Sequence, residues 1–184
     1  MLIALVILVV LGFLVMSMYN KLVSLKNKVL EAWSGIDVQL KRRYDLIPNL
    51  VNTVKGYAAH ESGTFEKVIQ ARNQAITAGQ SGNINAQVQA ENALAGTMKS
   101  LFALAENYPD LKANTSFLQL QGSLAEIEEH LQNARRYYNA LVRDNNTAVE
   151  SFPSNLIANN FGFGKFDFFE IENDAERSNP VVQF

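Results

Sequence analysis

The sequence of 184 residues contains no cysteine. This absence excludes disulfide-bonded scaffolds, thiolate metal sites, a cysteine nucleophile and acylation of a cysteine. Met1 is not followed by glycine, so the signal for N-terminal myristoylation is missing as well. We therefore expect no anchor of the common lipid types.

The sequence also lacks an excess of basic residues. Its 16 Lys and Arg residues are outnumbered by 18 Asp and Glu residues, which gives a formal net charge of −2 at pH 7. Proteins that bind nucleic acid need a basic surface that neutralises phosphates, and this composition provides none. We predict no nucleic-acid partner.

Motifs for catalysis are missing too: there is no Gly-rich phosphate loop, nucleophile motif or dinucleotide fingerprint. His60 and His130 each lack a second histidine four residues away, which is the spacing of helical zinc sites. Glu126, Glu128 and Glu129 precede His130, but a ferritin-type site needs Glu-x-x-His motifs on two helices. Although a metal at His130 stays conceivable, we predict no catalytic residue, no metal and no cofactor.

Charge is entirely absent from the first eighteen residues. At about 1.5 Å per residue, a helix of this length just crosses about 30 Å of hydrocarbon. No basic residue precedes the run and no small-residue cleavage site follows it, so a retained anchor is favoured over a cleaved signal peptide. We predict a transmembrane anchor over residues 1–19, with Tyr19 at the interface. The anchor residues are Leu2, Leu5, Leu8, Leu11, Leu14 and Tyr19.

Positive charge follows the apolar run and does not precede it. Lys21, Lys26 and Lys28 come directly after the anchor. The positive-inside rule then places the N-terminus outside the cell and the body of the protein in the cytoplasm. The alternative orientation stays open, because large domains are translocated regardless of flanking charge.

Apolar residues recur at steps of three and four, the helical repeat, along one long segment after the anchor. This stripe consists of Leu22, Leu25, Val29, Trp33, Ile36, Leu40, Tyr44, Ile47, Val51, Val54 and Ala58. It predicts one long amphipathic helix that continues the membrane span. Pro48 lies within it and predicts a kink, because proline removes one backbone hydrogen bond.

Three further helices are predicted. The second begins at a Thr64 N-cap and ends at a loop over 79–83. The third has its stripe at Ala90, Leu94, Met98, Leu101, Ala105 and Tyr108. The fourth begins at Asn114 or Thr115 and follows a coiled-coil heptad at Phe117, Leu120, Leu124, Ile127, Leu131, Ala134, Tyr138 and Leu141. The fold class is therefore all-α, with an up-down antiparallel four-helix bundle over 20–152.

Phenylalanine is concentrated in the C-terminal tail, residues 153–184, which we predict to be irregular and packed on the bundle. The favoured interpretation is that these rings plug the end of the bundle or cover a long helix. The alternative is a docking strip for a partner or for the membrane surface. The candidate interaction residues are Phe161, Phe163, Phe168 and Phe169.

Two stretches, 41–44 and 135–138, combine arginine with tyrosine. One interpretation is that they bind phosphate or acidic lipid headgroups. The preferred one is that the arginines pair with acids such as Asp45, Glu126 and Glu129. The candidate residues are Lys41, Arg42, Arg43, Arg135 and Arg136.

Several long motifs resemble the LemA family, in the order in which that family carries them. They are 19–29 (YNKLVSLKNKV), 31–52 (EAWSGIDVQLKRRYDLIPNLVN), 54–61 (VKGYAAHE), 106–111 (ENYPDL), 133–145 (NARRYYNALVRDN) and 152–163 (FPSNLIANNFGF). The resemblance implies an anchored helical bundle of the bacterial inner membrane, crossing it once. It implies no activity, since the family has no established biochemical function, although some relatives are linked to shaping or organising membranes.

Two functional hypotheses follow. The first is a non-catalytic scaffold, anchored in the lipid bilayer, that self-assembles into a homo-oligomer and organises or shapes the membrane. The second is an adaptor that presents its bundle and tail to another membrane protein, such as a protease or transporter.

Overall fold

The structure, a computed structural model, describes residues 1–170. This part of the chain is helical and contains no strand, which confirms the all-α prediction for it. The helices are α1 (Leu2–Lys55), α2 (Ser62–Gln80), α3 (Ile84–Ala105), α4 (Pro109–Lys112), α5 (Thr115–Glu150) and α6 (Ser154–Phe161). The four long helices were predicted. The short helices α4 and α6 were not, and α6 lies in a tail that was expected to be irregular.

Helix α1 runs for 54 residues and includes Pro48. From Leu22 onward it buries one face, as the periodicity predicts. Nine stripe positions are buried: eight lie in α1, namely Leu22, Val29, Ile36, Leu40, Tyr44, Ile47, Val51 and Val54, and Ala58 lies three residues beyond its end. Leu25 and Trp33 are half-buried. Full burial of one such aliphatic side chain stabilises a fold by about 1.5–3 kcal/mol, so the stripe explains why this helix is ordered.

The N-terminal part of α1 differs, because residues 2–17 are all exposed. Its most apolar stretch of 18 residues has a mean hydropathy of 2.8, and none of that stretch is buried. By length and composition this segment is able to cross a membrane. A helix that belonged to a soluble core would instead bury these side chains.

The observed helix starts correct one prediction and confirm another. Helix α2 begins at Ser62, so Thr64 lies inside its first turn, and the N-cap position is Glu61 without a side-chain cap. Helix α5 begins at Thr115, where the Asn114 Oδ1 atom accepts the Phe117 N–H at 3.0 Å. That bond satisfies one of the backbone donors that every helix start leaves open.

The chain divides into two compact units. Of the described residues, unit 1 contains 1–41 and 128–168, and unit 2 contains 42–127, 169 and 170. Helices α1 and α5 each contribute to both units. The predicted division into anchor, single bundle and tail, with one bundle over 20–152, stays a prediction.

Each unit has its own buried residues. In unit 1 the Trp33 ring lies 5.3 Å from the ring of the buried Tyr138, which joins α1 to α5. In unit 2 helix α2 packs against α3, and Val68, Ala75 and Leu94 are completely buried. Of the predicted heptad of α5, Leu120 and Ala134 are half-buried and the other six residues are buried. The apolar face of α5 is therefore confirmed, whereas the coiled coil stays a prediction.

Candidate functional site

Three aromatic rings meet in unit 1 where the uncharged part of α1 ends. The Tyr19 ring lies 5.0 Å from the Phe161 ring and 5.5 Å from the Phe163 ring, and both pairs are edge-to-face. Such pairs contribute about 0.5–1.5 kcal/mol beyond the burial of their area. We call Tyr19, Phe161 and Phe163 the aromatic cluster. It joins the predicted interfacial anchor to two of the predicted interaction residues.

Gly162 brings both phenylalanines to the same tyrosine. Its φ of +72° is a left-handed conformation that residues with a side chain rarely adopt, and it ends α6. The chain then turns back, and the Phe163 N–H donates to the Ala158 carbonyl oxygen at 2.9 Å. The cluster therefore depends on one glycine between its two phenylalanines.

The segment over 162–168 is bound to α5 through side chains of that helix. The Asn146 amide donates to the Phe166 carbonyl oxygen and accepts the Phe166 N–H, both at 2.9 Å. The Asn145 Nδ2 atom donates to the Gly164 carbonyl oxygen at 3.2 Å, and the Tyr138 hydroxyl donates to the Asp167 carbonyl oxygen at 3.0 Å. These bonds hold residues 164–167 against α5. The packing of the whole tail over 153–184 stays a prediction.

Replacing Asn146 by alanine is expected to loosen this segment, because the variant loses both hydrogen bonds to Phe166. We expect a loss of about 1–3 kcal/mol in local stability. The measurement is hydrogen exchange at the Phe166 amide, which should become faster in the variant. Asp144→Ala is the control, since Asp144 is exposed on the same helix and forms an ion pair with Arg143 at 3.9 Å. Equal exchange rates in both variants would contradict the assignment.

The other phenylalanines predicted as interaction residues lie in different environments. Phe168 is 42% exposed and Phe169 is completely buried. Phe169 therefore offers no surface to a partner. Phe184, which belongs to the same Phe-rich tail in the sequence, lies outside the described residues.

The basic stretches also divide by exposure. Lys41 and Arg42 are exposed, as is Arg136, whose Nη2 atom donates to the Asn133 Oδ1 atom at 2.6 Å. Arg135 is half-buried. Arg43 is buried and its Nη1 atom lies 3.3 Å from the Glu91 Oε2 atom. Arg43 therefore pairs with an acid, but that acid is Glu91 and not one of the expected Asp45, Glu126 and Glu129. Because Arg43 is buried, it is not available to a surface patch.

Glu91 is a buried charged residue that was not predicted from the sequence. It is completely buried on α3, where its carboxylate also accepts the Tyr44 hydroxyl. The Arg72 Nε atom donates to the Tyr44 carbonyl oxygen at 2.6 Å. We call Arg43, Tyr44 and Glu91 the buried polar cluster. A signal was present in the sequence, because Gln87 and Glu91 continue the steps of four and three that lead to Leu94, and both are buried.

Burial raises the pKa of Tyr44 well above its usual range, and the negative charge of Glu91 raises it further. Its hydroxyl therefore stays protonated and donates to the carboxylate. Burial, with a smaller effect of Asp167, also raises the pKa of Tyr138 to about 12. Both tyrosines act as hydrogen-bond donors, and neither is poised to act as a base at neutral pH.

These shifts predict a loss of stability in alkali. The tyrosines of the unfolded chain lose their protons near the ordinary pKa of about 10, whereas Tyr138 keeps its proton in the folded chain to about 12. The unfolded state then binds fewer protons, so the free energy of unfolding falls by about 1.4 kcal/mol per pH unit for each such group. Urea unfolding between pH 9 and 12 measures this fall, which should be smaller for Tyr138→Phe. A stability that is constant through this window would contradict the prediction.

Unit 2 contains an open groove of about 1000 Å³. Its walls come from the last turns of α1, from α2 and from Ala86 in the first turn of α3, and they include Val51, Phe65 and Ile69. The lining also contains amides such as Asn52 and Asn73. In residues 1–170 no three His, Asp or Glu side chains come together as metal ligands would. The groove can therefore receive an apolar side chain or a helix, but it presents no cluster for metal chemistry.

Comparison with known families identifies one match. The LemA family profile matches residues 32–184. The chain belongs to the LemA family. This result confirms the resemblance carried by the motifs. The LemA match begins after the uncharged segment and after Tyr19, and it includes the buried polar cluster, the groove and both phenylalanines of the aromatic cluster.

Individual LemA-family relatives are distant. Magnetosome protein MamQ 2 of Paramagnetospirillum magneticum is 23% identical over 175 residues, which cover 83% of this chain. Magnetosome protein MamQ of Magnetospirillum gryphiswaldense is 22% identical over 174 residues, or 82% of this chain. Protein LemA of Metamycoplasma hominis is 26% identical over 141 residues, or 76% of this chain. The chain spans 64% of the length of each MamQ protein and 63% of the length of that LemA protein.

Proposed function

We propose that this LemA-family chain is a non-catalytic scaffold, anchored in the bacterial inner membrane, that self-assembles and organises or shapes the bilayer. The observation that carries the proposal is α1. Its exposed, uncharged N-terminal part continues into the buried stripe as one helix. Backbone hydrogen bonds run through the junction, so the direction of the membrane span and the direction of the following stripe are coupled.

Exposed apolar surface supports self-assembly. The side chains of residues 2–17 are not covered by the rest of the described chain. Lipid or other copies of the same helix must therefore cover them. Relatives that carry the name magnetosome protein support an organising role rather than a metabolic one. Lys21, Lys26 and Lys28 are exposed just after the span and favour a cytoplasmic location for the rest of the chain.

The scaffold proposal is tested by the mass of the protein in mild detergent, measured by light scattering on a sizing column. The full chain is compared with a chain that begins at Tyr19, which keeps every buried residue. We expect a large discrete oligomer for the full chain and its loss in the shorter one, while circular dichroism shows that the shorter chain stays helical. Monomers in both samples would contradict self-assembly.

The groove in unit 2 favours an adaptor as the second candidate function. Its apolar lining of Val51, Phe65 and Ile69 is able to receive a helix of another membrane protein. A photo-reactive amino acid at the exposed Asn73, which lines the groove, tests this in cells. One discrete adduct with a different protein supports the adaptor. Adducts only between copies of this chain, or no adduct, argue against it.

A further inference from the structure

We propose that α6 and the aromatic cluster form a second membrane contact, in which the exposed side chains of residues 151–164 lie in the headgroup region of the bilayer. This inference rests on the proposed membrane anchor. It assigns a role to the Phe-rich region that neither the family nor the relatives supply.

The first argument is depth. Tyr19 directly follows the uncharged run of α1, at the position where an amphipathic ring meets the membrane interface. Because the Phe161 and Phe163 rings lie 5.0 and 5.5 Å from the Tyr19 ring, the end of α6 lies at the same depth. The contact therefore continues the membrane anchor and is not a separate patch.

The second argument is composition. Residues 151–164 contain no charged side chain. The charges at the two ends of this stretch pair with each other, since the Lys165 Nζ atom lies 2.8 Å from the Glu150 Oε1 atom. Residues 151–164 therefore form a surface without charges, and the charged residues on either side of it are paired. Moving such a surface into the headgroup region costs little free energy.

The third argument is exposure. Phe152, Leu156 and Phe161 are 79%, 59% and 55% exposed. The surrounding side chains include Asn159 and Asn160, which are exposed as well. Large apolar side chains among uncharged amides suit the boundary between headgroups and acyl chains better than they suit water. Contact with lipid would remove these side chains from water without unfolding any part of unit 1.

The absence of cysteine makes the test direct. Single cysteines in the full chain, reconstituted in phosphatidylcholine and phosphatidylglycerol vesicles, are labelled with a nitroxide, and its collisions with oxygen and with a water-soluble nickel chelate are measured. The test position is Asn160→Cys, next to Phe161 but outside the cluster. The control in water is Tyr137→Cys, which is 60% exposed. Tyr137 precedes Tyr138, whose neighbour Trp33 lies about 21 Å along α1 from Tyr19. The control in lipid is Val9→Cys, which is 51% exposed within the span.

We expect the ratio of oxygen to nickel collisions at position 160 to lie between the high ratio at position 9 and the low ratio at position 137. A ratio at 160 equal to that at 137 would overturn the lipid contact while leaving the anchor intact. Low collision rates with both reagents at 160 would also overturn it, because they indicate that a protein covers the site. A low ratio at position 9 would instead overturn the proposed anchor.

Discussion

Replacement of Glu91 by alanine is expected to lower the free energy of unfolding by about 3–5 kcal/mol. Glu91 is completely buried and accepts hydrogen bonds from both Arg43 and Tyr44. Removing its carboxylate leaves a buried guanidinium without the opposite charge that it contacts, and a buried hydroxyl without its acceptor. Unfolding in urea, followed by circular dichroism, measures the loss.

Three controls separate charge from packing in the buried polar cluster. Glu91→Gln keeps an acceptor for the Tyr44 hydroxyl, but it loses the charge and the second oxygen, which accepts from Arg43. Its stability should therefore lie between that of the parent chain and that of Glu91→Ala. Arg43→Met combined with Glu91→Met removes both charges and should recover much of the stability that Glu91→Ala loses, since a buried ion pair is often replaceable by apolar side chains. Glu66→Ala changes an exposed carboxylate and should cost at most about 0.5 kcal/mol. If Glu91→Ala costs no more than Glu66→Ala, the cluster does not stabilise the fold.

Two arginines in the middle of the span should abolish membrane retention. Each arginine near the centre of a membrane helix costs about 2.5–3.5 kcal/mol on the insertion scale, and Leu8→Arg with Leu11→Arg places two there. Both leucines are exposed, at 67% and 52%, so the substitutions should not disturb the folded units. We expect this variant to leave the membrane fraction on washing with alkaline carbonate, whereas the parent chain stays.

The matched control adds the same two charges elsewhere on α1. Leu30→Arg with Val38→Arg changes apolar residues that are 48% and 49% exposed outside the span. This variant should stay in the membrane fraction. Retention of the Leu8 and Leu11 variant after the wash, or equal loss of both variants, would contradict the assignment of residues 1–19 as the anchor.

The first prediction concerns Glu91 of α3 and its partners on α1, and the second concerns the start of α1. Only the second was available from the sequence. The charge-free run and the stripe from Leu22 to Val54 are repeated local patterns, and a helical repeat is set by backbone geometry. The all-helical class, the long first helix and the apolar face of α5 were therefore predicted correctly from the sequence. The start of α2 was not predicted correctly, because helix ends depend on weak capping preferences. Ser62 and Thr64 both suit an N-cap, whereas the structure has Glu61 at that position.

The buried polar cluster could not be predicted from local sequence patterns. Arg43 and Glu91 belong to different helices, and a sequence does not state which residue of one helix faces a residue of another. Glu91 followed the periodicity of α3, but a carboxylate on an apolar face is interpretable only once its partner is known. Only the tertiary structure showed that Arg43 and the Tyr44 hydroxyl donate hydrogen bonds to Glu91.

The aromatic cluster, too, was predictable from the sequence only in part. The sequence by itself determined a membrane-competent segment, an interfacial tyrosine and a Phe-rich end of the chain, since each is a matter of composition over neighbouring residues. Only the tertiary structure decided that Phe161 and Phe163 meet Tyr19, and that α6 ends at Gly162 to allow it. The physical reason is that composition and periodicity are local, whereas contacts between distant residues follow from how the helices pack.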